Sequence, residues 1–79
     1  MIVVANSTIF GRNLKYLRLR RNLSLSEMAA LLHLEPIVLY GLEEGLIFEI
    51  EGNSLRKVYE VFDENLEDIF YTLLEDSST

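Results

Sequence analysis

The sequence predicts an all-α fold, a single domain of five short helices. Apolar residues recur at helical spacing through most of the 79 residues. Residue types that start and end helices separate these apolar segments. The chain is too short for a second hydrophobic core, so we expect one compact domain over residues 1–79 with a core over residues 9–75. A short extended segment at the N-terminus is compatible with this fold.

The first two helices are predicted by their capping residues. A helix that begins after Ser7 or Thr8 ends near Asn22, a residue type that tolerates the left-handed backbone of a helix terminus. Ser24 and Glu27 have the S-x-x-E spacing of a capping box, which predicts a second helix over residues 25–32. The apolar face of the first helix is formed by Phe10, Leu14 and Leu17.

A third helix is predicted between a proline and a glycine. Pro36 suits the first helical position, where its missing N–H costs no hydrogen bond, and Gly45 suits the C-terminal stop. His33 lies in the preceding turn, where we expect a structural role because histidine tolerates left-handed conformations better than most residues.

Two more helices are expected, over residues 53–62 and 65–74, before a frayed tail at residues 76–79. The segments MIVVA and LIFEIEGN are β-prone, so they either pair as two strands or dock separately. We favour separate docking, because an isolated pair of short strands is marginally stable without a face to pack on.

Charge is distributed unevenly along the chain. Of the 7 basic residues, all except Arg56 and Lys57 lie within residues 1–26, whereas all 13 acidic residues follow that segment. A net charge of −6 repels a phosphate backbone at long range, and DNA affinity depends on neutralising phosphates with Lys and Arg. The composition therefore disfavours DNA binding.

Three stretches carry a family pattern: FGRNLKYLR in the first helix, LSLSEMA in the second, and the spacing of Leu39, Leu42, Glu43 and Gly45 in the third. Together these residues resemble the Cro/CI (XRE) family of helix-turn-helix regulators, over residues 10–70. The resemblance implies a helix-turn-helix at residues 25–44. It also implies that Arg18 and Glu43 form the ion pair that ties the first helix to the third in this family.

The sequence departs from the family where members contact DNA. Leu25 occupies the position of a phosphate-binding glutamine, and Glu44 that of a basic or amide residue. A carboxylate there repels phosphate. Direct readout of bases requires side-chain hydrogen bonds. The positions that read bases in the family are occupied by Pro36, Ile37 and Gly41, with Val38 beside them, and none of these has a side-chain donor or acceptor.

We therefore expect a Cro/CI-type scaffold that acts mainly by binding protein, as an antirepressor or co-regulator of a repressor in a phage-type switch. Exposed apolar patches commonly mark protein interfaces, and the acids nearby predict a basic partner surface. Gly41 is expected to let a partner backbone approach closely. The predicted partner surface consists of Pro36, Ile37, Val38, Tyr40, Gly41, Glu44, Leu46 and Phe48.

Two alternatives remain open. An ordinary DNA-binding regulator, dimeric through the fifth helix, would contact thymine methyls with Ile37 and Val38 and phosphates with Arg12 or Lys15. The same apolar surface would otherwise mediate self-association, with a homodimer as the product. The basic first helix is expected to be a solvated face, since no aromatic stacking platform accompanies it.

No catalytic, cofactor or metal site is expected. The sequence contains a single histidine, no cysteine and no nucleophile–base pairing or phosphate-binding glycine loop. The acids at residues 63–68 cluster at a helix start, where negative charge is favourable without a metal. The opening MIVVA is too short to span a membrane and lacks the basic segment of a signal peptide, so we expect a soluble, cytoplasmic protein.

Overall fold

A computed structural model describes residues 1–5 and 8–77 of the chain, with Leu66, Asp76 and Ser77 described by their backbone alone. The described part is mostly helical, with a small two-stranded sheet. The elements follow in the order β1 (Ile2–Val4), α1 (Ile9–Arg20), α2 (Leu25–Leu31), α3 (Pro36–Glu43), β2 (Glu49–Glu51), α4 (Gly52–Phe62), α5 (Leu66–Tyr71) and α6 (Leu74–Ser77).

The predicted ends of the first three helices are confirmed in most particulars. Asn22 and His33 have positive φ angles of 56° and 58° after α1 and α2. The capping box is present: the Glu27 N–H donates to Ser24 Oγ, and the Ser24 N–H donates to the Glu27 carboxylate. This backbone hydrogen bond from Ser24 lowers the pKa of Glu27. At α1, Ser7 lies outside the described residues, and the side chain of Thr8 makes no capping hydrogen bond.

The expectation that the two β-prone segments dock separately is wrong. β1 and β2 pair antiparallel, with Val3 opposite Ile50, Ile2 opposite Glu51 and Val4 opposite Glu49. Ile50 is 2% exposed and Val3 packs partly buried against the core. One face of the strand pair is therefore buried against the helices. A short two-stranded sheet needs such packing to be stable.

The fourth and fifth helices differ from the prediction at their ends. α4 begins at Gly52, and the Glu51 side chain caps it by accepting a hydrogen bond from the Asn53 N–H at 3.1 Å. Asn65 caps α5 as predicted, accepting from the Glu67 N–H at 2.8 Å. The expected continuous helix to residue 74 is interrupted, because Thr72 is extended and α6 starts afterwards.

Asn13 accounts for this interruption. It is 1% exposed in the middle of α1, and its amide nitrogen donates to the carbonyl oxygens of Ile69 at 2.7 Å and Thr72 at 2.8 Å. Its amide oxygen accepts from the Leu74 N–H at 2.9 Å. The side chain thus satisfies backbone groups that the end of α5 and the start of α6 leave without helical partners.

The core lies where α1 crosses α3 and α5. Gly11 permits the first of these crossings, because a Cβ atom at this position would lie 1.8 Å from the Leu42 carbonyl oxygen. The ring of Phe10 stacks on that of Phe70 at a centroid distance of 4.6 Å. The fully buried side chains of the core include those of Leu14, Met28, Ala29, Leu32, Leu39, Val58 and Ile69.

Candidate functional site

α3 has one side in the core and one side in solvent. Pro36 stands at its start after an extended Glu35, as the sequence predicts. Leu39 and Leu42 are 0% and 2% exposed, and Glu43 is 6% exposed. Leu42 and Glu43 come three and four positions after Leu39, so the three residues form one stripe along the helix. On the outer side of the helix, Ile37 and Tyr40 are exposed to solvent.

The buried acid of this stripe holds α3 against α1. Arg18 Nε donates to Glu43 Oε2 at 2.8 Å, and Arg18 NH2 donates to Glu43 Oε1 at 2.9 Å. The side chains are 14% and 2% exposed. These hydrogen bonds raise the pKa of Arg18 above its ordinary value. The predicted ion pair between Arg18 and Glu43 is confirmed as a bidentate contact, the strongest geometry for such a pair.

The end of α3 turns the chain back toward its own outer side. Gly45 has a φ of 73°, its N–H donates to the Leu42 carbonyl oxygen, and the Leu46 N–H donates to the Gly41 carbonyl oxygen at 2.8 Å. This pair of hydrogen bonds around a left-handed residue is a Schellman motif. The Ile47 N–H also donates to the Gly41 carbonyl oxygen, at 3.0 Å.

The expectation for Gly41 is wrong in consequence. Gly41 is buried rather than exposed, because the returning Ile47 side chain covers it. A Cβ atom at Gly41 would lie 2.4 Å from Ile47 Cδ1 and 2.7 Å from Ile47 Cγ1. The glycine accommodates a side chain of its own domain, so it offers no surface for a partner backbone.

The other predicted surface residues lie where the sequence predicts them. Ile37 is 68% exposed and Leu46 is 71% exposed. Tyr40 and Phe48 are exposed at 46% and 40%. Val38 is the exception, since it is partly buried against the core. We call the exposed set the α3 patch: Pro36, Ile37, Tyr40, Glu44, Leu46 and Phe48.

Acidic residues flank and interrupt the α3 patch along the chain. Glu35 and Glu49 are exposed at its two ends along the chain, and Glu44 is exposed within it. The Glu44 carboxylate accepts a hydrogen bond from Lys15 Nζ at 3.2 Å. This contact is exposed, so it contributes little to stability. It does hold the nearest cation of α1 on a carboxylate of the patch.

Three basic residues of α1, Arg12, Lys15 and Arg20, also line a separate groove. Arg12, Lys15, Tyr16, Leu19, Arg20 and Glu75 line an open depression of about 510 Å³. The Arg12 guanidinium donates to the Glu75 carboxylate at 2.6 Å. Arg20 lies 5.9 Å from the centroid of the Tyr16 ring. The aromatic ring on this helix is therefore partly buried and faced by a cation of the same helix, so it is not an open stacking platform.

The sequence reasoning overlooked Asn13, which ties α1 to the end of α5. A signal was present, because Asn13 falls at the same helical spacing as Phe10, Leu14 and Leu17, all of which are buried. A polar residue within such a stripe indicates a buried hydrogen-bonding role.

Residues 1–5 and 8–77 contain no group of three or more His, Asp or Glu side chains placed to hold a metal ion. In the same residues no single helix is long and apolar enough to cross a membrane, although α2 and α3 reach that length and composition as a pair bent by 105°. No family model, curated protein or solved structure matches this chain.

Proposed function

We propose that this protein is a small transcription regulator of the Cro/CI helix-turn-helix type that acts by binding another protein through the α3 patch. The observation that carries the proposal is the exposure of Ile37, Tyr40, Leu46 and Phe48 on one side of α3 and the segment after it. Apolar side chains grouped on the surface of a soluble domain commonly mark a protein interface.

The arrangement of α2 and α3 supports the scaffold part of the proposal. The chain bends by 105° between them, within the range of about 90–120° for helix-turn-helix units. The bidentate pair of Arg18 and Glu43 corresponds to the pair that the family resemblance implies. In this family α3 would be the recognition helix.

The chemistry of the patch favours protein over DNA. Major-groove readout uses side-chain donors and acceptors, and of the outward residues Pro36, Ile37 and Tyr40 only the tyrosine has a polar group. Lys15, which the DNA-binding alternative assigns to phosphate, is engaged by Glu44 at 3.2 Å. Arg12 is engaged by Glu75 at 2.6 Å. A phosphate would have to displace both carboxylates.

The acids around the patch define the class of partner. Exposed glutamates, Glu35, Glu44 and Glu49, accompany exposed apolar side chains, so the complementary surface combines apolar and basic side chains. The DNA-binding face of a repressor supplies the basic part of such a surface, because it must neutralise phosphates. Occupying that face would keep the repressor from its operator, which is the action of an antirepressor in the cytoplasm.

The decisive test places a photo-crosslinking amino acid at position 37 and, in a second variant, at position 57 on α4. Crosslinking in cells that express the protein, followed by mass spectrometry, is expected to trap a basic DNA-binding protein from position 37 alone. Recovery of the same protein from both positions, or of no protein from position 37, contradicts the proposal.

A matched pair of substitutions separates the surface from the fold. We expect Ile37→Lys to weaken binding to the captured protein by at least about tenfold, since apolar anchors at the centre of an interface carry most of its energy. Leu19→Lys on α1 is the control, because Leu19 is 55% exposed and lies outside the patch. Equal losses in both variants would place the interface elsewhere.

Fluorescence anisotropy with a mixed-sequence DNA duplex tests the DNA-binding alternative. We expect no binding at low salt, where phosphate contacts are strongest. Binding that weakens steeply as salt increases would favour the ordinary DNA-binding regulator, because that dependence reports the neutralisation of phosphates.

A further inference from the structure

The outer edge of β1 is a second surface without a partner in the domain. The Ala5 N–H donates to the Phe48 carbonyl oxygen, and the Gly52 N–H donates to the Met1 carbonyl oxygen. With Val3 opposite Ile50, the hydrogen-bonded rungs fall at odd-numbered residues of β1. The backbone groups of Ile2 and Val4 therefore point away from β2.

These outward backbone groups have no hydrogen-bond partner in residues 1–5 and 8–77. The side chains of Ile2 and Val4 are also 57% and 56% exposed. A strand edge of this kind can pair with another strand, and natural proteins usually protect such edges with charge, proline or a bulge. β2 carries Glu49 and Glu51, whereas β1 carries only Ile, Val and Val. Apart from its length of three residues, the edge of β1 therefore has none of these protections.

Beside this edge lies a groove that can accept side chains. Val3 and Val4 of β1 and Glu67, Phe70 and Tyr71 of α5 line a depression of about 350 Å³. Tyr71 is 77% exposed. A strand added to β1 would place its inward side chains at this groove, next to two aromatic rings.

We infer that the occupant of this edge is β1 of a second copy, paired antiparallel about a two-fold axis at Val3. In that register Ile2 of one copy faces Val4 of the other, so the outward N–H and C=O groups of both residues are satisfied reciprocally. The facing side chains are β-branched in both chains, a combination that stabilises antiparallel pairs. Val3 faces its own counterpart over the groove.

The glutamates of β2 do not oppose this pairing at close range, although Glu67 of each copy lies at the groove. In the resulting order β2, β1, β1, β2, the glutamates of the two β2 strands are separated by three strand spacings, about 14 Å. That distance exceeds the screening length of about 8 Å at physiological ionic strength. The net charge of −6 on each copy adds a weaker long-range repulsion, so the dimer strengthens as salt increases, opposite to the behaviour of a DNA complex.

The first test is sedimentation of the full chain over a range of concentrations, compared with Val4→Pro. Proline at this position removes an outward N–H and leaves the rungs to β2 in place. The substitution acts in both copies of a symmetric dimer, so the dissociation constant is expected to rise by about tenfold or more. Val4→Thr, which keeps the N–H and the β-branch, is the control and is expected to retain the dimer.

The second test is an isotope-filtered NMR experiment on a mixture of labelled and unlabelled protein. In the inferred register Val3 of one copy and Val3 of the other form a non-hydrogen-bonded pair, in which the facing Cα atoms lie about 4.5 Å apart. A contact between the Hα atoms of Val3 in different copies is therefore expected. Circular dichroism of each variant establishes that it is folded.

The inference is overturned by a protein that stays monomeric to millimolar concentration, or by a dimer that Val4→Pro leaves unchanged. A dimer that Ile37→Lys dissociates would instead use the α3 patch. Val4→Pro distinguishes this inference from the proposed function, because binding of a partner to the α3 patch is expected to survive that substitution.

Discussion

Glu43 and Glu44 are adjacent and chemically identical, but they lie on opposite sides of α3. Glu43 is buried and receives two hydrogen bonds from Arg18 of α1. Glu44 is exposed and receives one from Lys15, at 3.2 Å. Solvent screening and side-chain entropy leave the Lys15–Glu44 contact with little effect on stability. The Arg18–Glu43 contact is shielded from solvent and bidentate, so it is stronger.

The same division applies to the apolar residues of the helix. Leu39 is 0% exposed, while its neighbour Tyr40 is 46% exposed. One side of α3 therefore determines whether the domain folds, and the other side is free to determine what the domain binds. Pairs of neighbouring substitutions can separate the two roles.

The largest expected effect is that of Leu39→Ala. Removing a fully buried leucine leaves a cavity in the core, and we expect the free energy of unfolding to fall by about 2–5 kcal/mol. Urea unfolding followed by circular dichroism measures the change. Tyr40→Ala is the control, with an expected loss of less than about 1 kcal/mol. Similar losses from both would mean that α3 has no solvent side.

A smaller effect is expected from Glu43→Gln. The amide keeps the shape of the carboxylate but loses the charge that the Arg18 guanidinium faces, so we expect a loss of about 1.5–3 kcal/mol. Glu44→Gln is the matched control and should cost no more than about 1 kcal/mol. The difference should persist in high salt, because the buried pair is poorly screened. A difference that salt abolishes would contradict the burial of Glu43.

The smallest effect on the free energy of unfolding is expected from Gly41→Ala, and its sign is expected to depend on the residue at position 47. The added methyl group collides with Ile47, which we expect to cost about 1 kcal/mol overall. In an Ile47→Ala background the two closest contacts, with Cγ1 and Cδ1, are removed, and the same substitution should stabilise the protein by up to about 1 kcal/mol because alanine favours helix more than glycine. Stabilisation in both backgrounds would show that Ile47 does not cover Gly41.

The parts of the fold that the sequence predicted depend on local interactions. The capping box at Ser24, the left-handed termini at Asn22 and Gly45, and the proline that starts α3 each involve residues a few positions apart. Their physical causes can be read from a short stretch of sequence. The exposure of Ile37 and Leu46 was also predictable, because one short helix cannot turn every side inward.

The parts that were missed depend on residues distant in the sequence. The pairing of Val3 with Ile50 needs a core face that exists only after the helices have packed. The break at Thr72 needs the side chain of Asn13 on another helix. Gly41 was misassigned for a related reason: Ile47 reaches it only because Gly45 reverses the chain. Spacing within one segment does not contain this information.

The position of Asn13 has a consequence for how the chain folds during synthesis. Its partners lie 55–61 positions later in the sequence, so the buried amide has no partner until α5 and the start of α6 have been made. Closing so long a loop is slow compared with forming α1 alone. The α1–α3 unit would therefore emerge from the ribosome with a polar group on its apolar face, which α5 and α6 cover once they too have emerged.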